Sequence, residues 1–361
     1  MSPQKIPEAS RLGPAFSAVT GRLTAADAQA LDAALVDVEV PERGVLTVQG
    51  RPGDTMWFIV SGGFVASVDA VERVELGRKG PGDWVGEMSL VSPGPSSATV
   101  TATEPSRALA LDLATFTRLR RDHPEIAGSL LSAICCDLAR RLRRSGQVRV
   151  EAREGHIAAI PMLRALHGVE RSEVVCEWVP SGSAKHRVRS VDPKSLVATI
   201  EKIGAFRTAA SDDPAYAEGL HRDVESLAKV MEIETFLDGE TVIQGGSRSD
   251  GLYLILGGRL RVQTPAQGSD VHVDRVMGPG ELVGLVAFFD EGTRAATCTA
   301  IGATVLGVIY AASVQEILRQ GVRGAPMGVH VLHWFARQLA SDARELDARI
   351  AAAIRAPGTT R

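Results

Sequence analysis

Two charged residues of this chain stand in matching frames, and each frame lacks what the other keeps. Glu87 lies in Gly80-Pro81-Gly82-Asp83-Trp84-Val85-Gly86-Glu87-Met88-Ser89-Leu90, which continues to Gly94-Pro95-Ser96-Ser97-Ala98-Thr99. Arg294 lies in Gly278-Pro279-Gly280-Glu281-Leu282-Val283-Gly284-Leu285-Val286-Ala287-Phe288, which continues to Gly292-Thr293-Arg294-Ala295-Ala296-Thr297. The stretches align without a gap at a constant offset of 198, so Glu87 faces Leu285 and Ser96 faces Arg294. One copy keeps a carboxylate that can accept a hydrogen bond. The other keeps a guanidinium that can pair with an anion.

The elements that position these residues repeat as well. Gly50 to Gly63 pairs with Gly246 to Arg259, including Asp54 opposite Asp250. A repeat of this length indicates two domains, since solenoid units recur every ~20 to 50 residues. Thr24 followed by Asp27 predicts a capped helix through Leu35. From Val38 onward, short β-type runs broken by Gly and Pro predict strands at 45–48, 56–60, 64–68, 74–76, 99–102 and 108–111. From Pro124 to Arg144 the period becomes helical, with Ala127, Leu131, Ile134, Leu138 and Leu142 on one face. The strand pattern returns from Thr241 to Ile309. A long helix then begins near Pro326, with Val329, Ala336, Ala343 and Ile350 alternating with Leu332, Leu339, Leu346 and Ala353 at heptad spacing. That face either forms a homodimer seam through 326–354 or covers the chain's own barrel.

Residues 149–215 belong to neither repeat. Val174 to Val179 and His186 to Val191 suggest a hairpin, while Asp192-Pro193 and Asp213-Pro214 each predict a helix start, the second helix ending near Met231. The fold class expected is mainly β with flanking α-helices: two sandwiches or small barrels at 15–148 and 216–356, a small α/β connector, and a long C-terminal helix.

The 361 residues are 45% hydrophobic and 23% charged, with formal net charge −3, which gives no global attraction for a polyanion. The basic run Arg140-Arg141-Leu142-Arg143-Arg144 reads as the solvated last turn of a helix, so no nucleic-acid partner is expected. The four cysteines, Cys135, Cys136, Cys176 and Cys298, have no metal-ligand spacing, and a reduced cytoplasmic setting without a membrane partner fits them. His330 and His333 lie three apart on a helix but lack further ligands. His123-Pro124 reads as a helix entry. Gly245-Gly246-Ser247 lacks the lysine of a P-loop, and no nucleophile–base frame points to an enzyme.

Together the turn pattern, the Gly86-Glu87 pair and the Arg294-Ala295-Ala296 ending make both units resemble cyclic-nucleotide-binding domains, over roughly residues 15–145 and 220–355, which implies a jelly-roll barrel flanked by helices in each. The segments Gly86 to Ala98 and Gly284 to Ala296 match that family's phosphate-binding cassette. The tandem layout is similar to regulatory subunits of the cyclic-AMP-dependent protein kinase, although no Arg-Arg-x-Ser/Ala segment precedes the first barrel here. The resemblance implies that the cassette glutamate accepts from a ribose 2′-hydroxyl and the arginine pairs with a cyclic phosphate. The implied ligand positions are then Gly86, Glu87, Met88, Ser96 and Ser97 in one unit, and Gly284, Leu285, Arg294, Ala295 and Ala296 in the other. Ser96 leaves the first pocket without a cation and Leu285 leaves the second without a ribose acceptor. The expectation is a regulatory protein with weak or altered binding of cyclic AMP, cyclic GMP or another phosphate-bearing ligand, stronger in the second unit, together with a protein partner. The alternative is a scaffold that has kept the fold and lost the ligand.

Overall fold

The computed structural model describes residues 11–69, 73–145, 186–188, 192–205, 214–264 and 273–355. The chain divides into two compact units, one comprising Met1–Leu138 with Ile317–Arg361 and the other Ala139–Glu316.

The first unit opens with α1 (Ser17–Thr20) and α2 (Ala25–Ala34). As expected, Thr24 caps α2, its side chain accepting from the Asp27 backbone at 3.2 Å. Then come β1 (Val36–Val40), β2 (Val45–Thr47), β3 (Pro52–Gly53), β4 (Thr55–Ser61), β5 (Phe64–Asp69), β6 (Arg73–Lys79) and β7 (Trp84–Val85). The short helix α3 (Glu87–Val91) precedes β8 (Gly94–Pro95), β9 (Thr99–Ala102) and β10 (Ser106–Asp112). The strands form two four-stranded antiparallel sheets, in order β1-β10-β4-β7 and β2-β9-β5-β6, with β3 and β8 as a separate ribbon. Val40, Ile59, Phe64, Val85, Val100 and Ala102 form the core between them, each large apolar side chain contributing about 1.5–3 kcal/mol of burial. This is the expected jelly roll.

The helices α4 (Leu113–Asp122) and α5 (Pro124–Ser145) follow. The first was not foreseen: His123-Pro124 is an exit as well as an entry. His123 ends α4 with φ −140°, because a residue before proline is pushed out of helical conformation, and Pro124 then starts α5.

In the second unit, β11 (His186–Val188) pairs antiparallel with β12 (Met231–Phe236). The expected hairpin partner, Val174 to Val179, lies outside the described residues. Asp192 caps α6 (Pro193–Ile203) by accepting from the backbone of Lys194 and Ser195, as its Asp-Pro signal predicts. Helix α7 (Pro214–Ala228) stops short of Met231, which instead begins β12. Then come β13 (Thr241–Ile243), β14 (Gly251–Thr264), β15 (Val273–Met277), β16 (Leu282–Val283), α8 (Leu285–Phe289) and β17 (Thr297–Tyr310). The long β14 and β17 each cover what are two strands in the first unit. The corner is a glycine in both units, Gly62 with φ 83° and Gly258 with φ 77°. A Cβ on Gly62 would lie 2.1 Å from the Ser106 hydroxyl, and one on Gly258 2.4 Å from the Ala303 carbonyl, so only glycine fits the bend.

Two helices close the chain, α9 (Ala311–Val322) and α10 (Pro326–Arg355). The sequence attaches α10 to the second repeat, but it lies in the compact unit of the first barrel. A Cβ on Gly128 of α5 would lie 2.0 Å from the Gly321 carbonyl, and one on Gly321 2.6 Å from the Gly328 carbonyl. These segments therefore pack backbone against backbone. On the heptad face of α10, Val329, Leu332, Ala336, Leu339 and Ala343 are buried within one chain. Leu346 is half-buried, and the side chains of Ile350 and Ala353 lie outside the described ones.

Candidate functional site

The two cassettes take the same backbone path. Gly86 and Gly284 start α3 and α8 with φ 81° and 103°, a left-handed conformation that favours glycine. Ser96 accepts from the Gly50 amide at 2.9 Å and donates to the Arg51 carbonyl at 2.8 Å. Arg294 makes the same two bonds, from Gly246 at 2.9 Å and to Ser247 at 2.8 Å. The Asp54 and Asp250 carbonyls each accept from the helix after the barrel, from Leu113 at 2.7 Å and Ala311 at 2.8 Å. Ser96 and Arg294 are therefore spatial equivalents, as are Asp54 and Asp250.

In the second unit the Arg294 side chain is only 2% exposed. One guanidinium nitrogen donates to Asp250 Oδ1 at 2.5 Å and to the Gly251 carbonyl at 2.8 Å. Another reaches the Gly284 carbonyl at 3.5 Å, at the start of α8. The guanidinium carbon stands 5.6 Å from the centre of the Tyr253 ring, a cation–π arrangement, and the Tyr253 hydroxyl donates to Asp250 Oδ2 at 3.1 Å. Burial, then the Asp250 charge, pushes the Tyr253 hydroxyl far above its ordinary pKa. Burial also pushes the neighbouring Cys298 thiol up to about 12, against the Arg294 charge, so it stays a neutral core group. The carboxylate that holds Arg294 is Asp250, not the nearer Asp290 or Glu291. Its side chain is 63% exposed while that of Arg294 is buried. Leu285, 3% exposed, fills the place matching Glu87. Ala295 and Ala296 are half-buried.

In the first unit Glu87 is 5% exposed and Met88 is buried beside it. Ser96 and Ser97 are half-buried. The Ser89 and Ser96 hydroxyls lie against Gly53, where an added Cβ would stand 2.9 Å from Ser89 Oγ and 3.0 Å from Ser96 Oγ. Asp54, which matches Asp250, accepts instead from the Thr55 hydroxyl at 2.8 Å. The cation near Glu87 is Arg344 of α10, whose guanidinium interacts with the Glu87 and Asp347 charges.

Beyond the cassettes, His333 is buried on α10, with Nδ1 3.2 Å from a guanidinium nitrogen of Arg120. Arginine is always the donor, so Nδ1 accepts and the histidine is neutral. Burial first, then the Arg120, Arg337 and His330 charges, lowers its pKa to about 3. No group of three or more potential metal ligands occurs among the described residues. A pH dependence follows. Because the folded pKa lies below the ordinary 6.5, the unfolded chain binds the extra proton as pH falls. The stabilisation is complete above about pH 6.5 and falls by up to ~1.4 kcal/mol per pH unit toward pH 3. His333→Gln, which keeps an acceptor for Arg120, should flatten the urea-midpoint slope between pH 6.5 and 4. An unchanged slope would assign the acid lability to other groups.

Comparison with known proteins places this geometry. Residues 37–123 and 233–321 each match the model of the cyclic nucleotide-binding domain. The chain is 34% identical over 122 residues to the CRP-like cAMP-activated global transcriptional regulator of Mycobacterium tuberculosis (strain ATCC 25618 / H37Rv), covering 32% of this chain and 51% of the relative. It is 44% identical over 88 residues to a cyclic nucleotide-gated potassium channel of Mesorhizobium japonicum, covering 24% of this chain and 23% of the relative. The chain thus spans about half the length of the first of these relatives and less of the second. The regulatory domain of Toxoplasma gondii PKA with cAMP aligns at 15% identity and TM-score 0.30, over 87% of this chain and 93% of that one. No helix among the described residues is long and apolar enough to cross a membrane.

Proposed function

We propose, for a chain that carries two cyclic nucleotide-binding domains, a non-enzymatic regulatory role in which the second domain is the anion site and the first binds weakly or not at all. The observation that carries this reading is the Arg294–Asp250 pair. A buried guanidinium at the start of α8 is held by a carboxylate that is itself largely exposed. A ligand phosphate can take the place of Asp250 on the guanidinium while Asp250 swings into water at little desolvation cost. Binding is weakened by that competition and by Leu285, which offers apolar packing but no acceptor for a ribose hydroxyl. The ligand class is cyclic AMP, cyclic GMP or another phosphate-bearing molecule.

Calorimetric titration of Asp250→Asn with cyclic AMP and cyclic GMP tests the reading. Removing the competing charge should tighten binding by roughly 5-fold, the scale of one ion pair of about 1 kcal/mol. Unchanged or weaker binding would mean that Asp250 does not occupy the anion's place.

The proposed repeats are 15–148 and 216–356, joined by a connector at 149–215, and the proposed setting is the cytoplasm, with a protein partner and neither nucleic acid nor membrane. The basic turn at 140–144 supports this in part, because Arg143 is bound to Asp290 rather than solvated as first read. A homodimer through 326–354 would rely on Leu346 and the residues beyond, since the heptad face up to Ala343 is already buried. The scaffold reading is favoured for the first domain by one observation, the placing of Arg344 near Glu87.

A further inference from the structure

We propose that Arg344 and Arg143 are matched latches, each fastening the exit of one cassette helix to a helix that follows the other barrel in sequence. Neither arginine belongs to the repeat motif. In the first unit, Arg344 of α10 donates to the Met88 carbonyl at 3.2 Å and also to the Ser92 carbonyl. These oxygens lie at the C-terminal end of α3, where the Met88 carbonyl also accepts from the Ser92 amide at 2.9 Å. In the second unit, Arg143, in the last turn of α5, donates to Asp290 Oδ1 at 2.8 Å, to Asp290 Oδ2, and to the Thr293 carbonyl at 2.7 Å. Asp290 follows α8 as Ser92 follows α3, so the two guanidinium groups grip equivalent turns. A planar fork of donors suits both acceptor sets, two carbonyls in one case and a carboxylate with a carbonyl in the other.

The glycines at these turns sharpen the match. Gly94 and Gly292 hold equivalent places, and an arginine lies over each. A Cβ on Gly292 would lie 2.6 Å from an Arg143 nitrogen, whereas one on Gly94 would lie 4.0 Å from the Arg344 guanidinium carbon. A Cβ at Gly292 would thus push the Arg143 guanidinium aside, whereas one at Gly94 would leave Arg344 in place. Charge acts differently at the two contacts. The Asp290 hydrogen bond holds the Arg143 guanidinium above its ordinary pKa, and burial lowers that of Arg344 against the Glu87 and Asp347 charges.

The connectivity turns these contacts into straps. Helix α10 is joined through α9 to β17 of the second barrel, and α5 through α4 to β10 of the first. Opening either cassette exit therefore frees a helix that is covalently tied to the other barrel. This inference involves no ligand and goes beyond the proposed binding role.

Hydrogen exchange on the full chain tests it. Arg344→Met should speed exchange about tenfold in Glu87–Ser92, the scale of one lost interaction of about 1.4 kcal/mol, while the β4 and β10 amides stay protected. Gly292→Ala, and the milder Asp290→Asn, should do the same at Asp290–Arg294 and in residues 139–145. Gly94→Ala should leave the first exit unchanged. Asp290→Asn keeps the size of the side chain and so serves if Gly292→Ala fails to fold. Unaltered exchange in both Arg344→Met and Asp290→Asn would overturn the proposal, as would a Gly94→Ala effect equal to that of Gly292→Ala.

Discussion

Arg294→Met is expected to weaken binding of cyclic nucleotide or of any phosphate-bearing anion to the second domain by at least about 100-fold. The guanidinium is the only charge that the cassette itself directs at the start of α8. Removing one partner of a desolvated charge pair costs about 3–5 kcal/mol, which is roughly 10² to 10⁴ in affinity. Methionine keeps most of the apolar stem, so the loss reports on charge more than on volume. Stability should fall less. Asp250 is exposed and can be solvated, but the Gly251 carbonyl loses a donor at 2.8 Å, which costs about 1–3 kcal/mol for a buried acceptor. Calorimetry and thermal unfolding of the variant read the two effects separately. Affinity unchanged within a factor of two or three would mean that the anion binds elsewhere.

Ser96→Arg is expected to strengthen ligand binding in the first domain. The matching backbone bonds of Ser96 and Arg294 place a new arginine over Asp54 and the Thr55 carbonyl, the counterparts of the Asp250 and Gly251 acceptors. On the proposed reading, Glu87 accepts from the ribose hydroxyl. The expected gain for cyclic nucleotide is about 2–4 kcal/mol, roughly 30- to 1000-fold. Leu285→Glu in the second domain should gain less, because one hydrogen bond to a hydroxyl is weaker than charge pairing with phosphate. Leu285 is also buried, so a carboxylate there bears a desolvation cost. No gain from Ser96→Arg would mean that the Ser89 and Ser96 hydroxyls packed against Gly53 mark a pocket remodelled beyond one residue.

Local chemistry made much of the scaffold readable. Thr24 and Asp192-Pro193 cap helices because their side chains satisfy free amides within two or three residues, a signal carried entirely by neighbours. The glycine and proline punctuation likewise marked the barrel strands. The equivalence of Ser96 and Arg294 followed from alignment, and their paired backbone bonds repeat it in space. Less visible was the partner of Arg294. Asp290 and Glu291 lie close in sequence, yet Asp250, 44 residues upstream, holds the guanidinium. The alignment of Asp54 with Asp250 was the available clue, since a carboxylate recurs there in both repeats. Arg143 and Arg344 were hidden for a different reason. A basic residue on a helix looks the same whether it meets water or a distant carbonyl. The burial of the α10 heptad face is likewise set by tertiary packing, since a heptad pattern fits an internal neighbour as well as a second chain.

The stoichiometry of cyclic AMP binding, measured by calorimetry on the wild-type chain and on Arg294→Met, tests the division of labour between the two domains most directly. The account predicts one weak site per chain in the wild type and none in the variant. Two sites of equal affinity that persist in Arg294→Met would contradict it.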